Sequence, residues 1–227
     1  MHGACRLGWV LVLLASLGAC GGSTDNVSED GNVQKVNGDV HVTAGKPVGT
    51  VDSVNGSIQI DDNATVASAN TVNGSIHVGD HATSGTVRTV NGSITVGTGA
   101  RLSGSVVAVN GTLALRDGAD VAGAVSNIVG DIRIDDAHVG RGIKTVTGDI
   151  EIFGRSHVEG GIVVEKPSGL SPPGGNKTPH VVIGPGAIVQ GELRFDRPVR
   201  LDVSNRATVG PVIGATPVTF SGDEPPA

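Results

Sequence analysis

The chain has 227 residues, with 22 acidic and 16 basic side chains and a formal net charge of −6 at pH 7. Because this composition lacks the positive charge that binds phosphate backbones, it excludes a typical nucleic-acid-binding protein. The sequence has no tyrosine, one tryptophan and three phenylalanines, so it also lacks the aromatic platforms on which sugars and bases stack.

Residues 1–19 are predicted to be a secretory signal peptide. Arg6 precedes an apolar run that is too short for a permanent transmembrane helix. The stretch Leu17–Cys20 resembles the lipobox of bacterial lipoproteins, whose cysteine carries the lipid and becomes the mature N-terminus. The resemblance implies an exported, membrane-anchored lipoprotein, with the outer membrane favoured, lipid on Cys20 and a flexible tether over residues 20–30. The alternative is an ordinary signal peptide with an incidental cysteine.

A seven-residue phrase then recurs at intervals of 18 or 19 residues. Self-similarity at so constant a period is typical of a solenoid. We therefore predict an all-β fold, a single-stranded parallel β-helix over residues 31–220 with about 18 residues per coil and a disordered tail at 221–227. Coils of 19 residues fit a left-handed hexapeptide prism badly, so a right-handed helix is favoured. The copies begin at Val36, Val54, Val72, Val90, Val109, Ile128 and Val146.

Each coil is predicted to contain three short strands separated by turns. In the coil 49–66, Ile58 and Ile60 alternate at i and i+2, as do Ala64 and Val66, which is the pattern of a strand with one buried face. The third apolar pair, Val51 and Val54, is spaced by three, which predicts that both point inward with a bend between them. The first valine of every phrase is therefore expected in the core.

The corner of each coil is predicted at the Asn-Gly of the phrase. The glycine is identical in all seven copies, and it is expected to take positive φ at a tight turn. The asparagines before it should stack as a ladder whose side-chain amides bond along the solenoid axis. Four of them begin Asn-x-Ser/Thr sequences, which beside a lipobox are turn residues and not glycosylation sites. The ladder comprises Asn37, Asn55, Asn73, Asn91 and Asn110.

A proline-rich segment at 166–179 interrupts the repeat and is predicted to be a loop insertion. The pattern resumes at His180. Pro211, Pro217 and the two prolines of the C-terminal tail are expected to end the solenoid, because proline cannot donate to a continuing ladder.

The succession from Ile94 to Ile134, ITVGTGARLSGSVVAVNGTLALRDGADVAGAVSNIVGDIRI, is similar to bactofilins, bacterial polymer-forming cytoskeletal proteins built as right-handed parallel β-helices. The likeness covers roughly residues 31–165. The VNGSI phrases also resemble bacterial adhesins with β-solenoid domains. The chain departs from a typical bactofilin in its lipoprotein signal, its proline-rich loop and its longer C-terminal tail, which argues against a cytoplasmic filament.

Candidate chemistry is sparse along the chain. Hexapeptide acyltransferases share the apolar period and need a catalytic histidine, for which His180 is the candidate, but no companion acid stands at a recognisable spacing. The acid pairs Asp61–Asp62 and Asp135–Asp136 lie four coils apart, about 19 Å, too far to act as one catalytic pair. His41 and His77 share an outward position two coils apart, which is too far for one metal ion to bridge. We therefore expect no metal, no cofactor and no catalytic residue.

The sequence thus predicts a non-enzymatic, lipid-anchored envelope β-solenoid that acts as a structural scaffold or self-associating element. Its expected partners are the membrane, through the lipid, and further copies, through the coil ends. The N-terminal coil is the favoured end because only a polar stretch precedes it, with no evident capping helix. The alternative is an adhesin-like binding module on the cell surface or in the periplasm, and a hexapeptide-type acyltransferase is a minor alternative.

Overall fold

The computed structural model describes residues 26–27, 31–167 and 177–225. The predicted signal peptide, Cys20 and the middle of the proline-rich loop lie outside these residues. The described chain is a parallel β-solenoid of ten coils, without any helix, in which coils lie about 18 residues apart. The predicted fold class is therefore confirmed.

Three faces run the length of the solenoid, as predicted, and we call them faces A, B and C. Face A is a ten-stranded parallel sheet with one strand from each coil. Its strands are β3 (Val40–Val42), β5 (Ile58–Ile60), β7 (Ile76–Val78), β9 (Ile94–Val96), β12 (Leu113–Leu115), β15 (Ile132–Asp135), β18 (Ile150–Phe153), β21 (His180–Ile183), β24 (Arg200–Ser204) and β27 (Val218–Phe220).

Faces B and C belong to a second, 17-stranded sheet. In three N-terminal coils one long strand bends across both faces: β4 (Val48–Asn55), β6 (Thr65–Asn73) and β8 (Thr83–Asn91). The later strands of face B are β10 (Arg101–Leu102), β13 (Asp120–Val121), β16 (His138–Val139), β19 (His157–Val158), β22 (Ile188–Val189) and β25 (Thr208–Val209). The remaining strands of face C are β2 (Val33–Asn37), β11 (Val106–Asn110), β14 (Val125–Ser126), β17 (Ile143–Thr145), β20 (Ile162–Val164), β23 (Leu193–Phe195) and β26 (Val212–Ile213).

The core is a stack of aliphatic side chains held in register by the parallel pairing. On face A, Ile76 lies between Ile58 and Ile94, and all three are buried. Identical or similar side chains stack on one another, because equivalent positions of successive coils lie about 4.8 Å apart along the solenoid axis. The buried phenylalanines, Phe195 and Phe220, both lie in the C-terminal coils.

The prediction for face C was wrong at the valines of the repeated phrase. Val72 is 41% exposed, whereas Thr71 beside it is 3% exposed. The strand keeps its alternation up to the corner, so Ala69 and Thr71 point inward and the valine points out. The inward hydroxyl is tolerated because it donates a hydrogen bond to the Gly56 carbonyl of the preceding coil, at 3.0 Å.

The corner glycines are required mainly by close stacking, which differs from the expected reason. Four of the seven corner glycines have the predicted positive φ, namely Gly38, Gly92, Gly111 and Gly130, whereas Gly56, Gly74 and Gly148 do not. A Cβ on Gly74 would overlap the carbonyl of Gly56 in the coil below, and the same holds at successive corners. The chain therefore needs glycine at this position because the backbones of adjacent coils approach too closely for a side chain.

The two ends of the solenoid also differ from expectation. At the N-terminus β1 (Asn26–Val27) pairs antiparallel with β2, so face C is covered there. At the C-terminus β26 and β27 continue both sheets beyond Pro211 and Pro217, to Phe220. Those two prolines therefore lie in the connections between strands and do not end the ladder.

Candidate functional site

The asparagines of the corner stack along one edge of the solenoid. Each side-chain amide donates to the amide oxygen of the asparagine one coil below, at 2.9–3.1 Å, in the steps from Asn55 to Asn37, Asn73 to Asn55, Asn91 to Asn73 and Asn110 to Asn91. These hydrogen bonds join neighbouring coils at the corner. Because the row is exposed, it also presents a regular line of amides to solvent.

His180 has the companion acid that the sequence did not reveal. Its Nε2 lies 2.6 Å from Oδ2 of Asp202, which the next coil of face A supplies. Arg200 Nε donates to the same oxygen, at 2.8 Å. Asp202 is 1% exposed, and its Oδ1 has no hydrogen-bond partner. His180 is in register with Arg200, so the 22-residue separation is one coil plus two residues, which is not the 18- or 19-residue period of the repeated phrase.

A histidine oriented by a buried carboxylate is half of a general-base arrangement. The other half would be a hydroxyl or thiol nucleophile within hydrogen-bond distance of the imidazole. Within residues 31–167 and 177–225, the His180 side chain contacts only Asp202 by a hydrogen bond or ion pair. The geometry therefore fits an ion cluster that fixes the first turn after the proline-rich loop.

The two predicted acid pairs serve the turns between faces A and B. Asp61 lies 2.6 Å from His41 Nε2, and Asp62 accepts the backbone N–H of Asp80 at 2.7 Å. Asp136 accepts the backbone N–H of Arg155, which lowers the pKa of that carboxyl below its usual value. In the described part of the chain, no group of three His, Cys, Asp or Glu side chains is placed to hold a metal ion.

The predicted alignment of His41 and His77 is observed on face A, where Gln59 lies between them in register. Sequence reasoning missed a second histidine pair on face B. His138 and His157 stack in adjacent coils with ring centroids 5.6 Å apart. His138 lies 2.7 Å from Asp120 and 3.3 Å from Glu159, and the hydrogen bond to Asp120 raises the pKa of the imidazole.

The loop at 166–179 is fixed at its C-terminal end by the coil beneath it. Lys177 Nζ contacts Asp149 Oδ2 at 2.7 Å, and the backbone N–H of His180 donates to Asp149 Oδ1 at 2.9 Å. The contact with Asp149 raises the pKa of Lys177. Arg197 reaches across to the Val146 carbonyl, at 2.9 Å. The asparagine ladder stops at Asn110, and at the equivalent position two coils later the Thr147 hydroxyl donates to the Ile128 carbonyl, at 3.1 Å.

The most extensive unexplained feature of the surface is a line of aliphatic side chains on face C. The outward valines of the repeated phrase stack one above another, and we call this line the valine row. It runs into a groove of about 440 Å³ beside Lys144, Glu165 and Pro167. The row comprises Val36, Val54, Val72, Val90, Val109, Ile128 and Val146, of which the last three line the groove.

Comparisons with protein-family models, with curated proteins and with solved structures found no match to this chain. No helix in the described residues is long and apolar enough to cross a membrane.

Proposed function

We propose that this protein is a non-enzymatic structural scaffold of the bacterial cell envelope, anchored by a lipid on Cys20, that self-associates through the open edge of its N-terminal coil. The observation that carries this proposal is the free edge of strand β3, the first strand of face A. Within the described residues, β3 pairs only with β5.

The geometry of β3 makes this edge competent to pair. Val40 N–H donates to Ser57 and the Val42 carbonyl accepts from Asp61, both toward the second coil. Because successive residues of a strand direct their backbone groups to opposite sides, the N–H and C=O of His41 point to the open side. Unpaired strand edges are templates for another chain. The neighbouring edge of face C is already occupied by β1, so the site is confined to face A.

The anchor would lie at this same end. Five residues lie between Cys20 and Asn26 in β1, and the six Cα–Cα steps that join the two reach at most about 21 Å. A lipid on Cys20 would therefore hold the N-terminal coil near the membrane and raise its local concentration. Two anchored copies could then meet head to head while both lipids stay in one leaflet. The similarity of residues 31–165 to bactofilins supports the same reading, because that family assembles through β-helix domains.

The experiment uses His41→Pro, with His41→Ala as the matched control. Both substitutions remove the imidazole and its contact with Asp61. Proline also removes the free N–H of the open edge, without breaking a backbone hydrogen bond of the solenoid, whereas alanine keeps that N–H. We expect the wild type and His41→Ala to associate with rising concentration in sedimentation, and His41→Pro to stay smaller with unchanged circular dichroism. A wild-type protein that is monomeric at high micromolar concentration would exclude the scaffold.

The second candidate function is an adhesin-like binding module. It is favoured by the regular exposed rows of face C, the asparagine ladder and the valine row, which present repeated chemistry at intervals of about 4.8 Å. If sedimentation shows only monomers, this module becomes the leading function, and cross-linking from the loop at 166–179 in intact cells would identify its partner.

A further inference from the structure

Four members of the valine row, Val36, Val54, Val72 and Ile128, are exposed, and the other three are half-buried. Val36 is 63% exposed, Val54 42% and Ile128 43%, so these side chains bury little area against their own chain. The outward positions of face A are polar at six of these seven coils, for example at His41, Gln59 and Thr95, and the seventh is Ala114. Strand propensity therefore does not explain an aliphatic residue in all seven copies of the phrase. Contiguous exposed apolar surface on a soluble protein marks an interaction site.

We propose that the valine row is a contact surface for a second copy of this chain, which packs face C against face C with the stacking order of the coils reversed. This contact is separate from the open edge of β3 and goes beyond the end-to-end association proposed above. The two sheets would lie about 10 Å apart, as stacked sheets do. A two-fold axis parallel to the strands relates the two copies, so each column of outward residues lies opposite the same column of the second copy.

Charge selects one register for this pairing. The outward column beside the valine row carries Asp52 near its start, Arg88 in its middle and Lys144 near its end. Centring the dimer on Val90 would place Arg88 against its own copy. Moving the two-fold axis by half a coil, to a point between Val90 and Val109, places Asp52 of each copy opposite Lys144 of the other. The dimer then has two such ion pairs. The same shift places Arg88 opposite an uncharged valine of the neighbouring coil.

In that register the aliphatic side chains also pair along the row. Val54 faces Val146, Val72 faces Ile128 and Val90 faces Val109 of the second copy. The exposed Val36 then lies opposite the second copy's Glu165, which is in register with Val146 and lines the far wall of the groove. Because the interacting surface is isologous, the contact closes as a dimer and does not propagate. If the face C dimer and the pairing through the open edge of β3 both form, each copy would contact one neighbour through face C and another through its N-terminal coil.

The size of the surface sets the expected affinity. Seven positions span six steps of about 4.8 Å, a length of about 29 Å, and a strip about 15 Å wide covers roughly 400 Å² on each copy. That is about half of the area a standard stable interface buries on each partner. The contact is therefore weak in free solution. Tethering both copies to one membrane would raise their effective concentration and stabilise it.

Cysteine cross-linking in intact cells tests the register directly. The full chain carries Val54→Cys with Val146→Cys, each single substitution alone, or only its native cysteines. A thiol-specific oxidant should cross-link the double variant into a dimer and leave the single variants and the parent at background. A dimer from Val54→Cys alone would place Val54 opposite its own copy and overturn the proposed register. No cross-link from the double variant, nor from Val90→Cys with Val109→Cys, would overturn the contact itself.

Charge reversal provides a second test. Asp52→Lys should lower the yield of the 54/146 cross-link about tenfold, because two symmetric ion pairs become repulsive. Lys144 also contacts Glu165 within its own chain, at 2.6 Å. Restoration of the yield is therefore expected when Lys144→Asp and Glu165→Lys accompany Asp52→Lys. An unchanged yield in Asp52→Lys would exclude this register.

Purified protein separates the lateral contact from the open edge. In the His41→Pro background, residual dimers should disappear when Val54, Val72 and Ile128 are all replaced by threonine, which keeps β-branching and strand propensity. The matched control replaces Ile213 and Val218 by threonine, since they are equally exposed but lie off the row. Dimers that survive the triple variant, or a His41→Pro protein that is monomeric at high micromolar concentration, would overturn the lateral contact and leave the test of the open edge unaffected.

Discussion

Two valines six residues apart test which side chains of a coil point into the core of the solenoid and which point to solvent. Sequence periodicity predicts that Val72 and Val78 both point inward, but only Val78 is fully buried in the structure. We therefore expect Val78→Thr to destabilise the protein and Val72→Thr to have little effect. The substitution is isosteric and keeps strand propensity, so the difference reports on burial alone.

The magnitude follows from the surroundings of each side chain. Val78 lies between Ile60 and Val96 in the face A stack, where a hydroxyl meets only aliphatic side chains. A buried hydroxyl without a partner costs about 1–3 kcal/mol. The hydroxyl of Val72→Thr would be hydrated, and surface substitutions stay within about 0.5 kcal/mol. Thr71 marks the difference, because its buried hydroxyl is tolerated where the Gly56 carbonyl accepts from it.

Urea unfolding followed by far-ultraviolet circular dichroism measures both variants. The only tryptophan, Trp9, lies in the predicted signal peptide, and the chain has no tyrosine, so fluorescence would report little. With a urea slope of about 2–3 kcal/mol per molar, Val78→Thr should lower the midpoint by roughly 0.5–1 M. Measurements belong at low micromolar concentration, where contacts between copies do not contribute. A midpoint shift for Val72→Thr as large as that for Val78→Thr would refute the assigned facing.

Three further predictions concern the ion clusters and the corners. Because its carboxylate partners raise the pKa of His138, their stabilisation is present below the unfolded pKa of 6.5 and is lost as pH rises through the folded value. The free energy of unfolding should therefore fall above pH 6.5, and this pH dependence should flatten in His138→Gln. Asp202→Asn should cost about 2–3 kcal/mol in urea melts, because it breaks a buried ion cluster, whereas Asp223→Asn in an exposed pair should cost under about 1 kcal/mol. Gly74→Ala should cost about 1–3 kcal/mol through overpacking against Gly56, and a wild-type melting curve would contradict the close-stacking explanation.

The sequence was sufficient for the fold because every coil repeats the same local rule. An 18-residue period with alternating Ile58 and Ile60 positions allows few structures other than stacked strands. The corner glycine and the asparagine before it could be predicted for the same reason, since each copy constrains its neighbours. The predicted reason for the glycine was incomplete, because positive φ is a property of one residue, whereas the approach of Gly74 to Gly56 depends on two coils in register.

Tertiary structure decided which way the third strand of each coil faces. Spacing alone could not show that Thr71 turns inward, because the carbonyl that accepts its hydroxyl belongs to the preceding coil. The pairing of His180 with Asp202 was hidden for a similar reason, since the carboxylate belongs to the next coil, two residues beyond the position in register with His180. Outward Val72 and its equivalents became visible as a surface row only once the coils were stacked. The sequence period shows which positions are always apolar. Only the packing of the coils shows whether such a position lies in the core or on an exposed surface.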